Sequence, residues 1–363
     1  ISHWTEHMCF KGGAEFGKGD IFKEVSRVGG MNNGMTGTDY TVYFETLPSD
    51  HAELGLRIEA DRMASARFDP DEVTSERTVI ISEREGAENY PQFLLSEELS
   101  LAALRTHPYR WSVVGWKADL QRITHADLWS HYKSFYAPDN AVLLIVGDFE
   151  TEAMLADVRR LYGGIGGHAD VPEVRSVEPP QEGERRFVLR RPGTAAYLGM
   201  AFHIPQAGHE DEPALRVLTS ILSGTGSLSW MAPGGGGWKT SRLYRALVDT
   251  ELATSAGCRL TPSSIDPGLA NFFVTARVGV EPERIEEAVL KVIQEALAAP
   301  PTEDEIQKAK TQIRAPFDGV FEKRAADVGD FLSPGDSCGT VVELNPMLMI
   351  AEVQENNAGQ IQV

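Results

Sequence analysis

The spacing of apolar positions changes along this chain, and each change marks a new element. Ile21, Phe22, Val25 and Val28 recur at helical spacing after Asp20, a residue suited to an N-cap, and Gly29-Gly30 ends the run. Residues 32–36 (NNGMT) read as a turn into residues 39–47, which are rich in β-branched and aromatic side chains and read as a strand closed by Pro48. Residues 50–66 are predicted helical, with Leu54, Leu56, Ile58 and Met63 facing inward. Helices are also predicted over 72–88, 91–104 and 124–136. Thr124 opens the last of these with Asp127 three residues on, close to a capping box. Residues 141–148 form a continuous apolar run, the pattern of a buried strand, and 151–162 return to helical spacing.

Residues 163–184 are rich in Gly, Pro and Glu and mark a linker, its core at 166–184. Strands are expected at 187–190 and 196–203 and a helix at 212–222. The order helix, strand, strand, helix continues through 241–247, 255–260, 270–278 and 285–298. The pattern predicts an α+β protein with one unit at 1–165 and a second at 185–312. Short Val-rich stretches and Gly-Asp turns over 313–363 predict a final all-β segment.

Composition narrows the function. With 363 residues, 42% hydrophobic and 24% charged, the chain is of ordinary globular make-up and long enough for two or three domains. A net charge of −19 argues against nucleic acid or an anionic membrane as partner. No run of apolar residues is long enough for a transmembrane helix. Cys9, Cys258 and Cys338 are odd in number and far apart, so they make neither a disulfide framework nor a zinc site. The glycine run 234–237 lacks the Gly-Lys-Ser/Thr ending of a phosphate loop. His203 and His209 have no partner at ligand spacing.

The chemistry concentrates at residues 1–8 (ISHWTEHM). On a helix His3 and His7, four residues apart, project from one face and can share a zinc ion. Glu6 stands beside them, placed to take a proton from water. His-x-x-Glu-His is the inverse of the commoner His-Glu-x-x-His zinc motif. Zinc chemistry also needs a third protein ligand and an open position.

Residues 1–12 (ISHWTEHMCFKG) resemble the zinc helix of the pitrilysin/insulinase family of metallopeptidases, and residues 76–83 (ERTVIISE) resemble the family's second metal-site helix. The resemblance implies a zinc endopeptidase with His3, His7 and Glu83 as ligands, Glu6 as base and Glu76 as an acidic residue that orients the site. It implies that Gly29 to Thr36 forms a sheet edge beside the metal, where a peptide or unfolded polypeptide adds as an extra strand. Asn33 and Tyr43 take substrate-binding roles in that reading. The implied fold is two diverged copies of an antiparallel sheet with helices, only the first carrying zinc. Family members have strands ahead of this helix, so the N-terminus is expected to be truncated. His107, followed by Pro108, matches a structural loop of the family.

One feature departs from the family. Active members carry an Arg and a Tyr in the zinc-free half, and Val248 and Thr254 stand where that pair would fall. The chain is therefore expected to need a second, partner half. From Ile313 onward it resembles instead the lipoyl-like barrel-sandwich of HlyD-like periplasmic adaptors of efflux pumps, which implies the periplasm or cell envelope of a bacterium. Only half of such a sandwich is present. Two further readings stand beside the endopeptidase: a catalytically incompetent assembly subunit, and an adaptor-related envelope protein.

Overall fold

A computed structural model describes residues 1–224, 239–261 and 264–310, together with the backbone of three short strands beyond them. The chain divides into two compact units, Ile1–Glu184 and Arg185–Val363.

The first unit opens with α1 (Ser2–Met8) and α2 (Asp20–Arg27), followed by a hairpin of β1 (Met31–Thr36) and β2 (Thr41–Thr46). Six helices follow: α3 (Ala52–Ser65), α4 (Pro70–Ala87), α5 (Pro91–Ala103), α6 (Lys117–Leu120), α7 (His125–Phe135) and α8 (Thr151–Tyr162). A seven-residue helix is too short to persist alone. Burial holds α1: Trp4, Met8 and Cys9 pack with Phe68, Val73, Ile80, Leu128 and Tyr132. Arg77 of α4 lies 4.9 Å from the Trp4 ring and donates to the carbonyls of Leu120 and Ile123. One side chain thus ties α4 to the α6–α7 connection and to α1. Thr124 caps α7 in a full capping box with Asp127.

The glycine-rich loop after α1 wraps the Asp61 carboxylate, which accepts from the backbone of Ala14, Glu15 and Phe16 at 3.0–3.1 Å. A Cβ on Gly13 would lie 2.2 Å from an Asp61 oxygen, so the approach requires glycine. Asp20 does not cap α2. Gly19 takes that place, and Asp20 accepts from the Gly17 backbone.

Three segments differ from the pattern of the sequence. Residues 32–36, read as a turn, lie in β1 and pair antiparallel with β2 from Met31↔Thr46 to Thr36↔Thr41; residues 37–40 make the turn. Pairing with the β-branched and aromatic run of β2 overrides the turn preference of Asn and Gly. Residues 141–148 are neither a strand nor buried, with Val142 95%, Leu144 81% and Val146 85% exposed. An apolar run supplies strand character, but a strand exists only where a second backbone meets it, and none of the described residues does. Residues 187–190 are likewise unpaired.

The linker is anchored at two places: at its start the Ala169 N–H donates to Asp139 Oδ1 at 3.0 Å, and further on Glu178 takes three backbone donors. Glu178 accepts from the backbone N–H groups of Arg105, Thr106 and His107 at 2.7, 2.8 and 3.1 Å. Partial burial opposes the charged carboxylate, yet these donors outweigh it and hold Glu178 down at about 2.

The second unit has β3 (Tyr197–Ile204), α9 (Glu212–Ser223), a π-helical turn (Tyr244–Val248), β4 (Ala253–Leu260), β5 (Gly268–Ala276), α10 (Pro282–Ala298) and α11 (Glu303–Lys310). Its antiparallel sheet runs β3-β5-β4. Phe272, Val274 and Ala276 alternate inward from β5 and meet Ile285, Val289 and Val292, one face of α10. Beyond residue 310, β6 (Val320–Arg324), β7 (Gly339–Val342) and β8 (Ile350–Glu352) pair antiparallel in that order. The rest of the adaptor-like segment and the glycine run 234–237 lie outside the described residues.

Arg242 holds α11 by a bidentate pair to Glu305 at 2.7 and 2.8 Å, and Glu305 also accepts from the Thr302 backbone at 2.9 Å. The Arg242 hydrogen bonds, set against some burial, bring Glu305 from 4.5 to about 2. A carboxyl lowered on folding stabilises above its unfolded value and loses that contribution as pH falls through its folded one. Glu305→Gln should therefore lower the thermal unfolding midpoint above pH 4.5, and the difference from the parent should vanish as pH falls to about 2. A pH-independent difference would show that Glu305 acts through packing alone.

Candidate metal centre

Two helices build the site. His3 and His7 leave the same side of α1, with ring centroids 4.7 Å apart. On α4, Asp69 caps the first turn by accepting from Asp71 N at 2.8 Å, and Pro70 occupies the first helical position. Val73, Glu76, Ile80 and Arg84 form the buried stripe of this helix. Glu76 is thus carried into the core, and Glu83, two turns along, lies at the edge of the cleft.

His3 Nε2 and His7 Nε2 lie 3.8 and 3.6 Å from Glu83 Oε2. These separations are too long for hydrogen bonds. They suit donors that share one ion, because zinc ligands at about 2.0–2.2 Å from the metal stand roughly 3.4 Å from each other in a tetrahedron. One donor atom from each of His3, His7 and Glu83 falls within 4.8 Å of the other two; among the described residues no other set of three or more His, Cys, Asp or Glu side chains is so disposed. Ligand type and spacing therefore fit zinc.

The other ring nitrogen of His7 is fixed. His7 Nδ1 bonds Glu76 Oε1 at 2.8 Å, and Glu76 Oε2 pairs with the Lys11 ammonium. Burial alone would lower His7, but the Glu76 hydrogen bond and then the Glu83 charge raise it on balance. Burial pushes Glu76 up, yet its bonds to His7 and Lys11 hold the carboxyl below its ordinary value. His3 is different. Burial and the neighbouring His7 bring it down to about 4, and its Nδ1 has no hydrogen-bond partner among the described residues.

Glu6, 7% exposed, sits between α1 and the hairpin. Its Oε2 accepts from Thr36 Oγ1 of β1 at 2.6 Å. Gly34 lets the strand pass close by: a Cβ there would stand 3.0 Å from Glu6 Oε1 and 3.0 Å from the Phe10 ring. Burial raises the Glu6 carboxyl, and the Thr36 bond offsets only part of that.

A cleft of about 740 Å³ opens over these groups, with Asn33, Gly34, Met35 and Thr36 of β1 on one wall and Phe93 and Val113 among the rest. Asn33 therefore stands on the cleft wall, with its side-chain oxygen accepting from Gly34 N. Tyr43 lies elsewhere. Its hydroxyl bonds Tyr136 at 2.6 Å and its ring stacks under the Arg62 guanidinium, so the position gives it a packing role and no cleft wall. His107 is 5% exposed and accepts from Tyr109 N, apart from the His3, His7 and Glu83 cluster. In the second unit Val248 packs against the core and Thr254 is exposed on β4, so neither supplies the cation or phenol of the missing pair.

Sequence reading singled out neither Thr36 nor Lys11. Both lie inside the matched segments, but their partners, Glu6 and Glu76, come from elsewhere in the chain. The hint available for Lys11 is its place four residues after His7.

Residues 1–115 match the model of the insulinase family, peptidase family M16, and residues 122–313 match that of the peptidase M16 inactive domain. The zinc protease PqqE of Helicobacter pylori is 26% identical over 346 residues, covering 93% of this chain and 75% of the relative. That alignment takes in more of the chain than residues 1–312, so it reaches into the segment read as adaptor-like. An uncharacterized zinc protease of Bacillus subtilis, YmxG, is 26% identical over 225 residues, 62% of this chain and 54% of the relative. Among solved structures, a protease from Helicobacter pylori superposes with TM-score 0.79 at 25% identity, covering 85% of this chain and 72% of its own. A peptidase M16 inactive domain from Pseudomonas fluorescens shares the fold with TM-score 0.72 at 22% identity, over the same shares of each chain. With a metal-site unit and an inactive-domain unit matched in series, the chain belongs to the insulinase family, peptidase family M16.

Proposed function

We propose that this chain is the zinc-carrying half of a metalloendopeptidase, with zinc held by His3, His7 and Glu83. The observation that carries the reading is the convergence of those three donors within 4.8 Å, with Glu6 beside them. Bound zinc supplies a Lewis acid that lowers the pKa of water to near neutrality. Glu6 then holds the abstracted proton. Thr36 occupies Oε2, so Oε1, the oxygen beside Gly34, is the one left to move the proton. Burial brings the Glu6 carboxyl closer to neutral pH, which suits a group that must accept a proton and give it to a leaving amine. Glu76 orients His7 through Nδ1 and leaves Nε2 to the metal.

Substrate binds as a strand along β1. That strand pairs with β2 on one edge, has no strand partner on its other edge among the described residues, and forms a wall of the cleft. Backbone pairing there makes sequence selectivity loose. A second family half brings the Arg and Tyr for which Val248 and Thr254 stand. The specific observation for the alternative, an assembly subunit inactive by itself, is that same pair of positions together with the inactive-domain match. A location in the bacterial periplasm or envelope is proposed on the adaptor-like resemblance alone.

Purified protein should bind one zinc per chain, and His7→Ala and Glu83→Gln should each lose it on metal analysis. Full occupancy in both variants removes the ligand assignment. Glu6→Gln should keep zinc and, wherever the parent cleaves an unstructured polypeptide, cut turnover by about 100-fold or more; unchanged turnover would take the base role from Glu6. Gly34→Ala should cost about 1–3 kcal/mol in chemical denaturation, because the new methyl presses on Glu6 and Phe10. An unchanged midpoint would mean that the hairpin shifts away freely.

A further inference from the structure

Lys11 follows α1 by one turn and is four residues beyond His7. Its backbone N–H bonds Met8 O at 3.0 Å, continuing the helical path. The next residue fixes the exit. Gly12 has φ +114°, a conformation that L side chains rarely adopt, and its carbonyl accepts from Arg67 N at 2.8 Å. A Cβ on Gly12 would meet the backbone of Phe16, Gly17 and Lys18 at 3.0–3.2 Å. Lys11 is thus delivered to a defined place.

That place is the second oxygen of Glu76. His7 Nδ1 holds Oε1 and the Lys11 ammonium holds Oε2, so two residues four apart grip one carboxylate from both sides. The Glu76 side chain is 6% exposed and that of Lys11 is 23% exposed, so water substitutes poorly for either bond. The charges match too. Glu6, Glu76 and Glu83 set three carboxylates around a site for a dication, and Lys11 offers the positive charge that balances the remainder.

We infer that Lys11 is a positioning residue of the metal centre: by clamping Glu76 Oε2 it fixes the carboxylate that orients His7, and so sets metal affinity without touching the ion. The inference rests on the zinc reading above. With Lys11 removed, Glu76 is free to turn about its last bond, and a partly buried charge loses one of two partners. His7 then keeps its ring orientation through a single bond to a loosened group. Groups that orient a metal-bound histidine from behind are worth about 10- to 100-fold in metal affinity.

The test is zinc affinity, measured on the full chain without substrate by competition against a chromophoric chelator. Lys11→Met should weaken zinc binding about tenfold or more, and Lys11→Arg should return to within about threefold of the parent. In a Glu76→Gln background Lys11→Met should add less than about twofold, because the carboxylate it clamps is gone. A merely structural Lys11 would lower the unfolding temperature of the metal-free protein and leave zinc affinity alone. A residue that only contacts substrate would also leave it alone. Zinc binding by Lys11→Met within about twofold of the parent, or an equal loss in the Glu76→Gln background, overturns the inference. If Lys11→Met fails to fold, Lys11→Gln is judged by the same criteria. Absence of zinc binding by the parent chain would overturn the metal reading itself, so the two failures are distinguishable.

Discussion

The hydrogen bond between His7 and Glu76 joins groups 69 residues apart, and the site depends on it. It sits where a short helix meets a long one. Glu76 belongs to the buried stripe of α4, between Val73 and Ile80, so its carboxylate enters a core that penalises any unpaired charge. That penalty is what makes the arrangement definite. Only when α1 is seated, with Trp4 and Met8 buried, does Glu76 gain His7 on one oxygen and Lys11 on the other. Apolar packing brings α1 into place, and the polar contacts across the same interface fix its rotation. The Nε2 side of the His7 ring, which faces the cleft, is therefore set from behind.

Environment gives the glutamates around this helix different properties. Glu76 has two partners and is held ionised. Glu83 is half exposed and faces the His3 and His7 Nε2 atoms at 3.8 and 3.6 Å, too far for hydrogen bonds. Glu6 is buried with one hydroxyl partner, and its carboxyl moves up. Glu45, further into the unit, is pushed well above the usual range by burial and then by Glu59, although Arg62 lies nearby. One residue type thus gives a clamped, lowered carboxylate, an exposed one at the cleft edge and two buried ones pushed up, with desolvation and partner number deciding which.

Strand formation in this chain is decided by what lies alongside. Residues 31–36 contain two asparagines and a glycine and still form a strand, because β2 supplies a full register of partners. Residues 141–146 have far stronger apolar character and remain unpaired, with alternate side chains open to solvent. The hairpin matters chemically because β1 serves two purposes at once. It presents Thr36 to Glu6, and it offers a wall of backbone to the cleft.

The sequence by itself determined the motif and most of the helices, though not the short α6 or α11. Helical spacing, Thr124 with Asp127, and Asp69-Pro70 are local signals, and the helices they mark appear within a residue or two. His3 and His7 share a face because four residues make about one turn, a fact of covalent geometry. Family resemblance then pointed to Glu76 and Glu83, and the two helices do bring them to the histidines. Only the tertiary structure decided the rest. Tyr43 sits in a strand of alternating faces, and sequence did not tell which face met the cleft; pairing with β1 and packing on Tyr136 turned it to the core. Thr36 and Lys11 are an ordinary strand threonine and an ordinary lysine until Glu6 and Glu76 arrive from other parts of the chain. Their roles come from contacts over 30 and 65 residues, and no local pattern records a partner that only folding brings near.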